Sequence, residues 1–428
     1  MMKLRQLGFL CITLLCLIPN AMAQGFGILE PSKEILEPVF DNRSIAMGNT
    51  AITTPRGSSA IFSNPSILAT FSKPQFQLGG KLLYGTITSE AVNENEFYES
   101  YKAEYPPFPS RSYLAFAMPY QAPNTRLKLT FGIGYQRNEG AKWESEAVWL
   151  EEEVSEEKGE LVDIRMTSNN TGRTWGHLST LTPGVALNLQ DRYFFGLTFS
   201  RTLGGIISAS ESKRLDQQTK IDSDQKQSAT FLRIGALAKV TPVLSVGLMY
   251  RGGFEWEFGE TITKTYEDGE LETDREQSFA VLTVPGVWGI GAEYRVSPEL
   301  IATIEIQSRP FSELRWARGV DRQLFVDNGF NFSVGAEYLG AGFPLRFGAF
   351  REVIPFVDEN DAAPLRLLGL TAGIGSDGEA DFSWDASVRF GTWEQVNNVG
   401  QKYSENLMRA SISATYRFNT NLGSSTIN

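Results

Sequence analysis

The chain has 428 residues, of which 40 are glycine and 12% are aromatic, and a formal net charge of −11 at pH 7. The acidic balance argues against a nucleic-acid partner, since proteins that bind nucleic acids present a basic surface. Both cysteines, Cys11 and Cys16, lie before residue 24. A chain cleaved there has no disulfide, no thiolate nucleophile and no cysteine metal site.

The first 23 residues predict a secretory signal peptide. Lys3 and Arg5 form a short basic region, residues 7–18 are an apolar run, and Ala-Met-Ala at 21–23 has the spacing of a cleavage site. The apolar run is too short for a membrane-spanning helix, which argues against a retained anchor. Removal of the two basic residues leaves 37 basic and 50 acidic side chains, a charge of −13 (37 − 50).

Residues 24–75 show no alternation and are rich in small and turn-forming residues. They contain two distinctive stretches, Arg-Ser-Ile-Ala-Met-Gly-Asn-Thr-Ala at 43–51 and Ser-Ala-Ile-Phe-Ser-Asn-Pro-Ser-Ile-Leu-Ala at 59–69. A strand whose two faces meet different surroundings shows alternating apolar and polar residues, so this part is not predicted to form such strands. We expect it to be a separate N-terminal segment.

From residue 76 onward apolar and polar residues alternate in one segment after another, as in strands with two different faces. Leu248 and Tyr250 fall on one face, while Gly247, Met249 and Arg251 fall on the other. The predicted strands are 76–88, 111–120, 126–137, 174–188, 191–204, 228–241, 243–258, 276–295, 299–309, 329–338, 344–352, 364–375, 380–392 and 407–418.

The predicted connections between these strands alternate in length. Short turns such as 190–191, 241–242 and 297–298 alternate with long polar stretches. The long stretches are 89–110, 138–173, 205–227, 259–275, 310–328, 353–363 and 393–406. Sorting of this kind is typical of a transmembrane antiparallel β-barrel whose two ends are periplasmic. We therefore predict an all-β barrel of about 14 strands over residues 76–418, with a short polar tail at 419–428.

The stretches at 43–51 and 59–69 resemble the start of the FadL/TodX family of outer-membrane transporters for hydrophobic compounds. That family opens with an Arg/Ala/Met-Gly stretch followed by an aromatic-x-Asn-Pro-Ala-x-Leu motif. Ser66 stands where the family usually has alanine, and the tail after Phe418 departs from barrels that end on an aromatic residue. Beyond these stretches the resemblance is one of strand number and rhythm.

The resemblance implies that residues 24–75 fold inside the barrel as a plug. It implies a bacterial outer-membrane protein that moves hydrophobic small molecules, such as long-chain fatty acids or aromatic hydrocarbons, by passive, ligand-gated passage. Release would be sideways into the membrane or down into the periplasm. A PorV-like branch of the same superfamily instead serves protein secretion as a scaffold or shuttle, and the motif does not separate the two. We expect a monomer whose partners are the hydrophobic ligand and outer-membrane lipid, with no cofactor and no metal.

Two sets of residues are candidates for ligand binding and for gating in such a transporter. The expected ligand contacts are Ile61, Phe62, Ile67, Leu68, Arg251 and Arg346, the arginines because their planar fork suits a carboxylate. The expected gating residues are Gly48, Asn64, Pro65, Pro183 and Pro285. Proline inside a strand marks either a simple bulge or a gap in the wall through which a ligand leaves. Most charges inside the barrel are expected to pair with one another.

Catalytic chemistry is not expected. The single histidine, His177, lies two residues before Ser179, but nothing supplies a third member that would orient the base. The acidic stretch 151–160 is either a solvated charge run or a site that bridges divalent cations to anionic lipid. No glycine-rich phosphate motif stands between a strand and a helix, which disfavours a nucleotide cofactor.

Overall fold

The structure is a computed structural model that describes residues 41–418 except for short gaps at 93–97, 122–126, 140–141, 155–160, 215–216, 268–270, 319, 324–327, 355–364, 377–379 and 397–401. The predicted signal peptide, residues 24–40 of the predicted plug and the tail 419–428 lie outside the described residues.

All strands belong to one antiparallel sheet of nineteen segments. Their bounds are β1 (Gln75–Val92), β2 (Tyr98–Gln121), β3 (Leu127–Glu139), β4 (Lys142–Val154), β5 (Leu161–Leu189), β6 (Tyr193–Arg214), β7 (Gln217–Thr241), β8 (Leu244–Arg251), β9 (Phe254–Glu267), β10 (Leu271–Val284), β11 (Val287–Arg295), β12 (Leu300–Arg309), β13 (Arg315–Arg318), β14 (Val320–Gln323), β15 (Gly329–Tyr338), β16 (Leu345–Ile354), β17 (Leu365–Gly375), β18 (Phe382–Val396) and β19 (Lys402–Arg417).

Five pairs of successive segments continue one another along the wall: β3 with β4, β8 with β9, β10 with β11, β12 with β13, and β14 with β15. Both members of such a pair lie along the same neighbouring strand, as β3 and β4 do along β5. The nineteen segments therefore form fourteen barrel strands (19 − 5). The first and last strands pair from Gln75 opposite Arg417 to Glu90 opposite Lys402, which closes the barrel. The predicted closed barrel of about fourteen strands is confirmed.

Within the described residues, helical structure is confined to short pieces. The α-helix α1 spans Asn42–Ala46, and the 3-10 helices are η1 (Ser58–Phe62), η2 (Pro65–Thr70) and η3 (Phe311–Glu313). No helix of the described residues is long and apolar enough to span a membrane. The first three pieces belong to residues 41–74, hereafter the plug.

The wall has an apolar outer face and a polar inner face, the reverse of a soluble barrel. Along β18, Phe382 and Phe390 are exposed on the outside, while Ser383, Ser387 and Arg389 are buried on the inside. Water would penalise such an exterior, whereas lipid tails accept it. The alternation predicted from the sequence, and its orientation, are confirmed.

The predicted long connections are wrong in extent, because paired strands occupy much of them. The stretch 205–227 is a hairpin of β6 and β7, and most of 138–173 is β4 and the first half of β5. β5 alone has 29 residues, although about 10 suffice to cross a membrane. Beyond the membrane both faces of a strand meet water, so the alternation that predicts a strand disappears while backbone pairing continues.

The short turns lie where they were predicted. At Gln190 and Asp191 the backbone has φ of 60° and 53°, the left-handed conformation of a two-residue hairpin turn. Asp191 accepts hydrogen bonds from Lys128 (2.8 Å) and from Asn188 (2.7 Å). We call the end of the barrel that carries these turns the short-turn end, and the opposite end the outer end.

Candidate ligand site and plug

The plug lies inside the barrel and packs against its inner face on several sides. Helix α1 contacts β16 to β19, whereas η1 and η2 contact strands between β1 and β7. Four of its apolar side chains, Met47, Ile52, Ile61 and Leu68, are at most 1% exposed. The plug is therefore packed against the wall as part of the protein core.

Glycines of the wall provide the space for the plug backbone. A Cβ atom added at Gly235 would lie within 3.0 Å of the Asn64 side chain, one at Gly196 within 3.0 Å of Pro65, and one at Gly348 within 3.0 Å of Gly48. Real Cβ atoms do not approach so closely, so each position requires glycine. These wall glycines were not among the predicted site residues. Their signal was present, since glycine inside a strand often marks close approach of another backbone.

The Asn64 side chain connects two parts of the plug. It caps η2, accepting from Ser66 N (3.2 Å) and Ser66 Oγ (2.7 Å), and its amide donates to Ile52 O at 2.7 Å. Pro65 begins the helix, where no backbone donor is needed. The Asn64 side chain thus joins η2 to the preceding turn of the plug.

Charged side chains fix the plug near the short-turn end. The Arg43 guanidinium donates to both oxygens of Glu337 and bonds Glu293 at 3.1 Å. Arg346 donates to the same Glu337 (2.8 Å) and to Asp385 (2.6 Å). The expected pairing of charges inside the barrel therefore holds for this group. Arg43 was part of the motif, but its partners on β11 and β15 could not be predicted from the residue pattern.

An aromatic cluster lies on the outer side of the plug, inside the barrel. The rings of Phe231 and Phe254 have centroids 5.0 Å apart, and Trp256 stacks on Phe258 at 5.3 Å. The Trp256 indole is 1% exposed, and its N–H has no acceptor among the described residues. The remaining members of the cluster are Leu178, Ala229, Leu282, Val284, Phe311, Leu314 and Val353.

A cavity of about 40 Å³ lies between the plug residues Asn49, Ala51, Phe62 and Ser63 and the inner face of the wall. Arg233 and Arg251 line it from opposite positions of the paired strands β7 and β8. Arg233 is 3% exposed, and among the described residues it meets no carboxylate and no hydrogen-bond acceptor; its guanidinium lies 5.5 Å from the Phe231 ring. Arg251 donates to Pro285 O at 2.9 Å and lies 5.1 Å from the Phe254 ring. Neighbouring like charges in a closed space favour an anion between them.

The backbone pairing between two neighbouring barrel strands is interrupted beside this cavity. Backbone pairing stops after Arg251 opposite Val287 and resumes at Phe254 opposite Val284. Two residues on each strand, 252–253 and 285–286, are left out of the ladder. The Tyr250 ring covers Gly286 from the outside. At Pro183, by contrast, pairing with β3 continues. Pairing with β6 is interrupted for two residues on each strand, 182–183 and 199–200, so neither strand has an extra residue and no bulge forms.

Solved structures of similar shape cover nearly the whole chain. The toluene transporter TbuX of Ralstonia pickettii superposes with a TM-score of 0.60 at 15% identity, over 90% of this chain and 100% of TbuX. The toluene transporter TodX of Pseudomonas putida gives 0.61 at 14% identity, over 89% and 98%. A FadL homologue of Pseudomonas aeruginosa gives 0.60 at 13% identity, over 89% and 99%. The chain has their fold.

At these identities the likeness establishes the TodX-type fold alone. No family model and no curated protein matches the sequence. The resemblance of the N-terminal motif is thus confirmed for the architecture.

Within this TodX-type barrel the predicted ligand residues fall into three places. Phe62 and Arg251 line the cavity. Ile61, Ile67 and Leu68 lie in the core between plug and wall, and Arg346 is engaged with Glu337 and Asp385. Their role toward a ligand stays a prediction.

The histidine and serine singled out in the sequence do not form a pair. His177 is exposed, and its side chain makes no hydrogen bond with the described residues. Ser179 Oγ instead lies 2.9 Å from Tyr135 Oη.

Proposed function

We propose that this protein sits in the bacterial outer membrane and passes hydrophobic small molecules that carry an anionic head group, such as long-chain fatty acids. The observation that carries the proposal is Arg233, a buried cation that meets no carboxylate among the described residues and lies beside a cluster of aromatic rings. A carboxylate placed between Arg233 and Arg251 would offset their mutual repulsion. The apolar tail would then lie among Phe231, Phe254 and Trp256.

The plug is the proposed gate. It occupies the barrel below the cavity, and its contacts with the wall are numerous but individually modest, on the order of 1–3 kcal/mol for each apolar side chain. Displacement of a few of these contacts is a plausible cost for passage. The ladder break at 252–253 and 285–286 offers a sideways route, closed from the outside by the Tyr250 ring. This places Pro285 at the proposed exit. The role is binding and passage, with no catalysis.

Binding to the purified full-length protein tests the proposal. We expect Arg233→Met to weaken binding of a long-chain fatty acid about 10-fold to 100-fold, since a charged hydrogen bond contributes about 1.5–3 kcal/mol. Toluene, which has no head group, should bind both proteins alike. Arg201→Met is the matched control, because Arg201 is exposed on the outer face and bonds Thr230. Equal fatty-acid affinity of Arg233→Met and wild type would refute the role of the head group.

A second candidate function is a secretion scaffold of the PorV type. The observation in its favour is the height of the wall, since β5 and β7 have 29 and 25 residues and continue as paired strands far beyond the membrane. Such a surface suits a protein partner better than a small molecule. Failure of the wild type to bind any apolar tracer, together with a secreted protein bound to its outer end, would favour this candidate.

A further inference from the structure

A buried carboxylate of the wall holds the first turn of the plug. Glu305 Oε2, on β12, accepts hydrogen bonds from the backbone N–H groups of Ala51 (2.6 Å) and Ile52 (2.8 Å). Glu305 is 3% exposed, so both bonds form away from water. A charged acceptor binds amide donors strongly under such conditions.

The same carboxylate begins a row of polar contacts along the inward face of β12. Gln307 Nε2 donates to the other oxygen of Glu305, and Arg309 Nη2 donates to Gln307 Oε1 at 3.0 Å. Residues two apart share one face of a strand, and all three line the cavity. The row therefore leads from the plug to Arg309, which precedes Phe311 of the aromatic cluster by two residues.

We propose that Glu305 is the latch of the plug and that Gln307 and Arg309 transmit the presence of a ligand to it. This inference rests on the proposed function, because it needs a ligand with a negative head group. The cavity lined by Arg233 and Arg251 is also lined by Arg309. A head group held in that cavity therefore competes with Gln307 for the Arg309 donors, and Gln307 then turns away from Glu305. The Glu305 carboxylate loses one donor and gains a neighbouring negative charge. Both changes favour its withdrawal from Ala51 and Ile52.

Accessibility of a single cysteine reports the state of the latch. Thr53 follows the latched turn, and its buried hydroxyl has no hydrogen-bond partner among the described residues, so Thr53→Cys removes no such bond. The native cysteines lie within the predicted signal peptide. The rate of labelling by a water-soluble maleimide is measured on the full-length protein in liposomes, with and without a long-chain fatty acid.

We expect the fatty acid to speed up labelling in the Thr53→Cys protein. Added Glu305→Gln should speed up labelling without fatty acid on the order of tenfold, because a charged acceptor of two backbone bonds is lost. Added Gln307→Leu should abolish the response to fatty acid. Thr180→Val is the control, since it removes a buried hydrogen bond of 2.7 Å to Thr202 of the wall and none to the plug.

The outcomes separate the latch from the proposed function. Labelling of Glu305→Gln at the wild-type rate, or an equal rise in Thr180→Val, overturns the latch. A fatty acid that binds without changing the labelling of the wild-type background overturns the transmission. Should Glu305→Gln fail to fold, a response to fatty acid that survives Gln307→Leu overturns the transmission on its own. Faster labelling of Glu305→Gln supports the latch even if no fatty acid binds, and in that case only the proposed function fails.

Discussion

Replacement of Asn64 by alanine should loosen the plug while leaving the barrel closed. The substitution removes the cap of η2, which costs about 1 kcal/mol. It also removes the donor to Ile52 O, which leaves a buried carbonyl unpaired at a cost of about 1–3 kcal/mol. Together these losses lower the free energy of local opening of the plug by about 2–4 kcal/mol. Amide hydrogen exchange that proceeds through local opening should then be about 30-fold to 700-fold faster over residues 58–70.

Hydrogen exchange followed by mass spectrometry measures this change segment by segment. Asn64→Ser separates the two losses, because serine retains the cap but is too short to reach Ile52 O. Ser63→Ala is the neighbouring control, since the Ser63 hydroxyl donates only a weak bond of 3.4 Å to Ala60 O. Exchange of the plug in Asn64→Ala within about threefold of wild type, or an equal acceleration in Ser63→Ala, would refute the assignment.

Three further changes test the plug and the short-turn end. Gly235→Ala should displace the plug and raise its protease sensitivity, whereas Gly259→Ala, whose Cβ would meet nothing within 4 Å, should not; equal sensitivity of the two would contradict the role of wall glycines. Arg43→Gln removes the charged hydrogen bonds that join the plug to Glu337 and Glu293, although Glu337 keeps its bond to Arg346. Plug opening should therefore become easier by about 1.5–3 kcal/mol, seen as faster plug exchange; unchanged exchange would contradict this. Hydrogen bonds from Lys128 and Asn188 lower the pKa of Asp191 below its usual value. Its stabilising effect is therefore present above the ordinary aspartate pKa and is lost as the pH falls through the lowered pKa. Thermal unfolding should show a small loss in Asp191→Asn at neutral pH that disappears in acid; a loss that persists in acid would contradict this.

The sequence was sufficient for the barrel because membrane strands carry their own signal. Leu248 and Arg251 fall on opposite faces by parity alone, and the structure places them outside and inside as expected. The outer parts of β6 and β7 could not be recognised in the same way. Their described side chains are mostly partly exposed on both faces, so nothing in the residue pattern of 205–227 distinguishes a strand from a loop.

The site was less predictable, because the side-chain contacts between strands depend on how the strands are aligned with one another. Parity places Arg233, Arg251 and Arg346 inside the barrel, but it does not show that Arg346 meets Glu337 while Arg233 meets no carboxylate among the described residues. The aromatic cluster likewise joins residues of β7 and β9 with Phe311 of η3, which lie far apart in the chain. Contacts of this kind follow from the closed barrel and not from any local motif.

The tight fit between plug and wall has a consequence for how the protein is assembled. Because the plug backbone touches wall glycines on both sides of the barrel, the closed wall leaves no room for threading it in afterwards. The plug also precedes β1 in the chain, so it is available before the first and last strands meet. We therefore expect the strands to close around a plug that is already folded, which serves as the template of closure. Deletion of residues 41–72 should then lower the yield of folded barrel, which electrophoresis measures as the heat-modifiable fraction. A full yield of closed barrel without the plug would contradict this order of assembly.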